Sequence, residues 1–190
     1  MRLPMGSENG ISIGRVCLAE ATPANAQVIL NAIEQDHAQN LSFFSGQRVT
    51  LTRQRQYLRK IEKSEQDLLF LILHADSREL IGTAGLHEID HANKNARLGL
   101  LIFREQDRGK GYGTEAIRAL HEVAFRVLKL HKLYVRILVA NEKARKKYAD
   151  QLGYREEGLL REEYYLRGAF HDMRVLSLLQ NEWSERAPVS

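Results

Sequence analysis

Three glycines alternate in the stretch Gln106-Asp107-Arg108-Gly109-Lys110-Gly111-Tyr112-Gly113, between an apolar alternation that ends at Phe103 and a helix-period stripe that follows. A turn of this kind delivers backbone N–H groups to a helix N-terminus, where the partial positive charge of the helix favours an anion. Glycine removes the side chains that would keep a phosphate at a distance and permits positive φ. Arg108 and Lys110 would add mobile cations. The same residues could also do no more than close a strand-to-helix corner. Two other phosphate motifs do not fit: no glycine-Lys-Ser/Thr element follows, as a P-loop needs, and a dinucleotide turn belongs after the first strand of a parallel sheet.

The elements that must position this turn are legible around it. Ile11 to Leu18 alternates like a strand, and Thr22-Pro23 then pairs an N-cap residue with a proline suited to the first helical turn. Ala26, Ile29, Leu30 and Ile33 recur at helical spacing, and a second helix is expected from about Thr50 to Lys63. Leu68 to Leu73, Leu80 to Ile89 and Ala96 to Phe103 are separated by polar turns and predict an antiparallel meander. After the glycine turn, Ala116, Ile117, Leu120, Val123, Ala124, Val127 and Leu128 form one stripe. A strand from Leu133 to Val139, a basic helix from about Asn141 to Gln151, and strands near Tyr154 and from Phe170 to Leu179 complete a mixed α/β order.

With 190 residues, 44% of them hydrophobic, the chain suits one core rather than two. The longest apolar run, Leu68 to Leu73, has strand length, well short of the roughly 20 residues that span a bilayer. Met1 to Gly10 lacks a secretory pattern, so the expected setting is cytoplasmic. The single cysteine, Cys17, excludes an internal disulfide, and no Cys/His cluster has metal-ligand spacing. A net charge of +4 suits an anionic partner. The cluster Lys143, Arg145, Lys146, Lys147 reads first as a solvated helix face, and the absence of interleaved stacking aromatics speaks against nucleic acid.

At Gln106 to Gly111 the sequence resembles the GNAT acetyltransferase superfamily, whose signature is Gln/Arg-x-x-Gly-x-Gly/Ala at such a junction. The resemblance continues through Asn141-Glu142-Lys143-Ala144, Tyr148, Leu152-Gly153-Tyr154 and Glu156-Glu157-Gly158, over about 11–183, with 1–10 and 184–190 as loose ends. Its nearest branch holds ribosomal-protein-alanine, spermidine and nucleotide-amino-sugar N-acetyltransferases. The resemblance implies one domain with a mixed, mostly antiparallel seven-stranded sheet, splayed at a V-shaped slot and flanked by about four helices. It implies acetyl-coenzyme A as co-substrate, no metal, a primary amine as acceptor and, by analogy, a homodimer to which Trp183 would contribute.

Carried onto this chain, the resemblance has Leu101, Ile102 and Phe103 offering backbone hydrogen bonds to the pantetheine arm. Gln106 marks the motif, and Arg108, Gly109, Lys110, Gly111, Tyr112, Gly113 and Thr114 would hold the pyrophosphate. Asn141 and Ala144 would meet the pantetheine, and Tyr148 would point at the thioester sulfur. The family places the glycine of Gly-Phe/Tyr eleven residues after the asparagine, whereas Gly153 lies twelve after Asn141. The seven-residue step to Tyr148 is retained, so the extra residue is expected beyond the tyrosine.

A tyrosine near pKa ~10 and a thiol near ~8.5 make Tyr148 the expected general acid. Arg97 stands where relatives carry an acid, so Glu88 is the expected base, with His87 on the opposite face of its strand and an ordered water as alternatives. Phe43 and Phe44 would line an acceptor pocket or belong to the core. A polyamine would need carboxylates such as Glu34, Asp36, Glu162 and Glu163 to converge. A non-catalytic acetyl-coenzyme A sensor on the same fold is the competing class.

Overall fold

The computed structural model describes residues 10–35, 49–166 and 168–185. β1 (Ile11–Ile13) and β2 (Val16–Glu20) form a hairpin. The expected single strand is broken because Gly14 takes φ +58° and turns the chain back on itself. That turn has a second use. Arg15 donates its backbone N–H to Glu115 Oε2 at 2.7 Å and its guanidinium to the Lys110 carbonyl at 2.8 Å, tying the hairpin to the glycine turn and the helix behind it.

Thr22 and Asn25 close the turn before α1 (Ala26–Gln35): the Thr22 N–H reaches Asn25 Oδ1 at 2.8 Å. Thr50 caps α2 (Leu51–Lys63), its hydroxyl accepting from the Arg53 N–H. The meander follows as β3 (Leu68–His74), β4 (Leu80–Asp90) and β5 (Asn95–Ile102). α3 (Tyr112–His121) runs on into a π-helical segment, Glu122–Val127, and leads to β6 (Lys132–Leu138). α4 (Glu142–Lys146) continues as a second π segment, Lys147–Gln151, before β7 (Arg155–Leu166), β8 (Ala169–Leu179) and α5 (Gln180–Ser184).

The strands form one sheet in the order β1-β2-β3-β4-β5-β6-β8-β7, antiparallel throughout except where β5 meets β6. Among the described residues there are therefore eight strands, not seven, and five α-helices rather than four. The additions are the hairpin at Gly14 and the short α5. Trp183 of α5 packs on Phe125 of the same chain, with ring centroids 5.1 Å apart and the Arg126 guanidinium over its face, so the residue assigned to a dimer interface is partly used within the fold.

One face of the sheet packs on α3 through Ala84, Leu86, Leu98, Ile117, Leu120 and Val123. The other packs on α1 and α2 through Ile29, Leu58, Ile61, Leu69, Leu71 and Phe103. Among the described residues no helix is long and apolar enough to cross a membrane.

At the C-terminal end of α3, His121 is 2% exposed and shares a 2.9 Å hydrogen bond with the Tyr154 hydroxyl. Desolvation, with Arg118 adding to it, pushes its pKa down to about 3. In the unfolded chain a histidine protonates near ~6.5, so below that pH the unfolded state takes up a proton that the native state refuses. Stability is therefore lost as pH falls from about 6.5 toward 3. We expect the Tm to decline across this range and the decline to be shallower in His121→Gln; equal slopes would show that another group governs it.

Candidate active site

β5 and β6 are parallel neighbours over only three register pairs, Asn95 with Lys132, Ala96 with Leu133 and Arg97 with Tyr134. Past Arg97, β5 stays with β4 to Ile102, and past Tyr134, β6 stays with β8 to Leu138. The two strands thus separate and open a V-shaped slot. Beside the paired end, β4 is irregular: its register against β5 shifts between His87 and Asp90, and Glu88 takes φ +53°. The slot is part of a cleft of about 1760 Å³ lined by β5, β6, the start of α3 and α4. That volume exceeds an ordinary small-molecule pocket of roughly 300–1,000 Å³ and suits an extended ligand.

At the wide end of the slot, Gly109 (φ +79°) and Gly111 (φ +97°) carry the chain into α3, and Gly109, Gly111, Gly113 and Thr114 line the cleft. A methyl group on Gly113 would stand 3.0 Å from Lys147 Nζ and 3.1 Å from Leu100 Cδ2, so only glycine leaves this corner open. Lys147 has no carboxylate partner among the described residues, and burial pulls its pKa down. Arg108 is not a mobile cation: its guanidinium donates to the Ile102 carbonyl at 3.1 Å and the Phe103 carbonyl at 2.7 Å, clamping the end of β5. Asp107, 6% exposed, is held by Arg104 Nε at 2.6 Å and fixes the same turn.

Leu101 and Ile102 line the cleft, whereas Phe103 turns its side chain into the α1–α2 core and spends its backbone N–H on the Ile81 carbonyl. Gln106 and Lys110 are exposed outside the cleft. Tyr112 also faces away, packed under the Arg15 guanidinium and edge-on to His74.

Asn141 caps α4, its Oδ1 accepting from the Ala144 N–H at 3.1 Å, and both residues line the cleft. The helix is regular to Lys146, and the extra residue is absorbed in the π segment, where the Leu152 N–H reaches back five residues to the Lys147 carbonyl. Tyr148 remains on the cleft wall. It is 6% exposed, its ring meets Tyr154 edge-on at 5.1 Å, and its hydroxyl has no hydrogen-bond partner among the described residues. Burial holds its pKa well above the ordinary tyrosine value.

Glu88 lies beside the narrow end of the slot without lining it. Arg97 Nε donates to its Oε1 at 2.8 Å, the Tyr134 hydroxyl donates to its Oε2 at 2.6 Å, and Arg136 stands 3.7 Å away. Desolvation alone would raise this carboxyl, but the Tyr134 and Arg97 hydrogen bonds and the two arginine charges outweigh it and hold the pKa below the usual range. The Tyr134 phenol is correspondingly pushed up to about 12, by desolvation and by the Glu88 carboxylate. Phe43, Phe44 and Asp36 lie outside the described residues.

The domain profile described as Acetyltransferase (GNAT) domain matches residues 15–154. The chain belongs to the GNAT acetyltransferase family. It is 33% identical over 110 residues to the spermidine N(1)-acetyltransferase of Vibrio cholerae serotype O1, covering 58% of this chain and 62% of that protein. It is 38% identical over 104 residues to YdaF of Bacillus subtilis (strain 168), whose name provisionally calls it a ribosomal N-acetyltransferase; the match covers 55% of this chain and 56% of that one. The chain thus spans about six tenths of the length of these curated relatives. A solved chimera of Vibrio cholerae spermidine N-acetyltransferase SpeG and hSSAT superposes with a TM-score of 0.80 at 25% identity, over 91% of this chain and 100% of that one.

Within this GNAT domain two contributions escape a reading of the sequence. Lys147 belongs to a run of similar cations, and only the helix geometry shows which of them turns toward Gly113. The Arg15–Glu115 tie joins residues 100 positions apart and carries no local signal.

Proposed function

We propose that the chain transfers an acetyl group from acetyl-coenzyme A to a primary amine by direct attack in a ternary complex. The observation that carries this reading is the slot between β5 and β6, open at one end onto a glycine-lined helix N-terminus. Backbone N–H groups at the start of α3, with Lys147, would take the pyrophosphate, and the edge of β5 that β6 leaves free at Leu98 to Leu100, short of the Ile102 carbonyl held by Arg108, would take the pantetheine amides. The Gly113 corner is as wide as it is because no Cβ stands there. Those residues fit the cofactor.

Tyr148 is the candidate general acid, because its hydroxyl lies in the cleft wall with no other partner. Its raised pKa keeps the proton in place at neutral pH. The same desolvation disfavours a departing thiolate and raises its proton affinity, so donor and acceptor remain matched inside the cleft. Glu88, the candidate base from sequence, accepts from Arg97 and Tyr134 and is a weak base in that network. Its geometry supports a positioning role for the strand ends around the slot.

For the acceptor, the relatives named for spermidine favour a polyamine, while the arrangement here favours an amine on a neutral or anionic body. Arg97 and Arg136 border the narrow end of the slot, and Glu163 stands 3.6 Å from Arg136 rather than facing a free site. Glu34 is exposed on α1 and does not line the cleft, whereas Glu162 does. Thiol release from acetyl-coenzyme A, measured with unblocked alanyl and seryl peptides, a nucleotide-linked amino sugar, spermidine and spermine, tests this directly. We expect a peptide or the amino sugar to exceed spermidine by about tenfold in kcat/KM, a difference of ~1.4 kcal/mol in the barrier. Preference for spermidine would reinstate the polyamine, and no thiol release with any amine would make the domain a binding module.

A further inference from the structure

The proposed mechanism leaves one half-buried ionisable pair unused. His87 and Asp67 lie on the α1–α2 face of the sheet, with His87 Nδ1 3.0 Å from Asp67 Oδ1 and the imidazole 13% exposed. Asp67 is itself fixed, its Oδ2 accepting from the Ser64 hydroxyl at 2.8 Å. The Nε2 end of the ring has no hydrogen-bond partner among the described residues.

The position of that free nitrogen is set by two glycines. A Cβ on Gly85 would stand 2.9 Å from Nε2, and one on Gly99 would stand 3.3 Å from it. The ring therefore lies flat over bare backbone on β4 and β5. Gly99 is two residues beyond Arg97, the last residue of β5 paired with β6, and it lines the cleft. His87 does not itself line the cleft, but its Nε2 lies over Gly99, which does, close to the point where the slot begins to open. Tyr148 belongs to the core cluster on the α3 face, whereas His87 shares its face with Leu101 and the α1–α2 cluster. The two groups approach the slot from opposite faces.

We propose that the Asp67–His87 pair is the proton acceptor for the incoming amine. The inference rests on the transferase reading. The amine nitrogen forms a bond to the acetyl carbonyl carbon as the carbon–sulfur bond breaks. The nitrogen loses one proton to His87 Nε2, and the leaving sulfur takes one from the Tyr148 hydroxyl. His87 then gives its proton to water and Tyr148 recovers one from water, so neutral amine plus thioester gives amide plus thiol with no net proton change. Asp67 holds Nδ1–H and so leaves the lone pair of Nε2 free over Gly99, where the amine proton reaches it directly or through one water.

The charged groups facing the ring are Asp67, Arg97 and Glu88, and Tyr57 of α2 lies close enough to Asp67 to feel its charge. Desolvation lowers the pKa of His87, Asp67 opposes that, and Arg97 adds to it; the net direction is down. The imidazole is thus neutral at physiological pH and able to accept. Activity should fall as the pH drops through its pKa, below ~6.5.

The test is the pH profile of kcat/KM with acetyl-coenzyme A and whichever of the peptides, the amino sugar, spermidine or spermine turns over fastest. His87→Gln should lower the plateau by about 100-fold and abolish the acid limb, leaving the KM for acetyl-coenzyme A within about twofold. Asp67→Asn, which removes the group that raises the imidazole, should lower the rate and move the limb to lower pH. This second variant carries the test should His87→Gln fail to fold. NMR titration of the wild-type histidine ring signals should place His87 below ~6.5. An unchanged acid limb in a folded variant, a loss of less than about threefold, or a His87 pKa above ~7 overturns the pair while leaving the transferase standing. No turnover with any amine overturns both.

Discussion

Tyr148→Phe leaves acetyl-coenzyme A affinity within about threefold of the parent and lowers kcat by about 100-fold or more, the range expected when a general acid is removed. The split follows from the position of the residue. The phenol ring packs on Tyr154 and the hydroxyl has no protein partner, so phenylalanine keeps the contact and leaves no stranded polar atom. On the proposed mechanism, what disappears is the proton for the leaving sulfur. Steady-state turnover read beside calorimetric affinity separates the two effects, provided that a solvent isotope effect shows the chemical step to be limiting. Wild-type turnover under those conditions would make Tyr148 a packing residue. A loss confined to binding would place it in the pantetheine site without a role in proton transfer.

Gly113→Val raises the Kd for acetyl-coenzyme A by about 100-fold, or ~2.7 kcal/mol, with the fold retained. Gly113 is buried in the first turn of α3, and the first added carbon already meets Lys147 Nζ at 3.0 Å and Leu100 Cδ2 at 3.1 Å. The two further methyl groups of valine have only the cleft to occupy, in the corner assigned to the pyrophosphate. Lys147 must swing away, so the substitution removes a cation as well as space. Lys147→Gln separates the two causes, because it removes the charge without adding volume. We expect it to weaken binding by about tenfold and to flatten the dependence of affinity on salt. If valine is tolerated with unchanged affinity, the phosphates do not lie at the start of α3.

The outcome of reading the sequence differs from element to element for physical reasons. The glycine turn was legible because its chemistry is local: positive φ and missing side chains are properties of Gly109, Gly111 and Gly113 themselves. Thr50 and the apolar stripe of α3 are likewise short-range signals, and both helices lie where those residues put them. The Gly14 turn was missed because two residues suffice to reverse a strand within an otherwise alternating segment.

β7 was reduced to a stretch near Tyr154 because its twelve residues are almost all exposed. With Arg, Glu and Tyr dominating, and two register shifts against β8, it has no apolar face to announce it. The site splits in the same way. Tyr148 and Asn141 followed from motif spacing, which put the extra residue beyond the tyrosine, whereas the π segment already begins one residue before it, at Lys147. The clamp made by Arg108, the inward turn of Lys147 and the Asp67–His87 pair depend on side-chain directions set by packing, for which neither period nor motif carries a signal.

The most direct measurement is a calorimetric titration of the protein with acetyl-coenzyme A, run beside Gly109→Glu. Gly109 has φ +79° and nothing within 4 Å of where a Cβ would be, so glutamate enters open space at a modest backbone cost and sets a negative charge at the turn assigned to the phosphates. We expect saturable binding at one cofactor per chain in the parent, and loss of that binding in a variant whose circular dichroism matches it. Absence of binding by the parent, or equal affinity in Gly109→Glu, would contradict this.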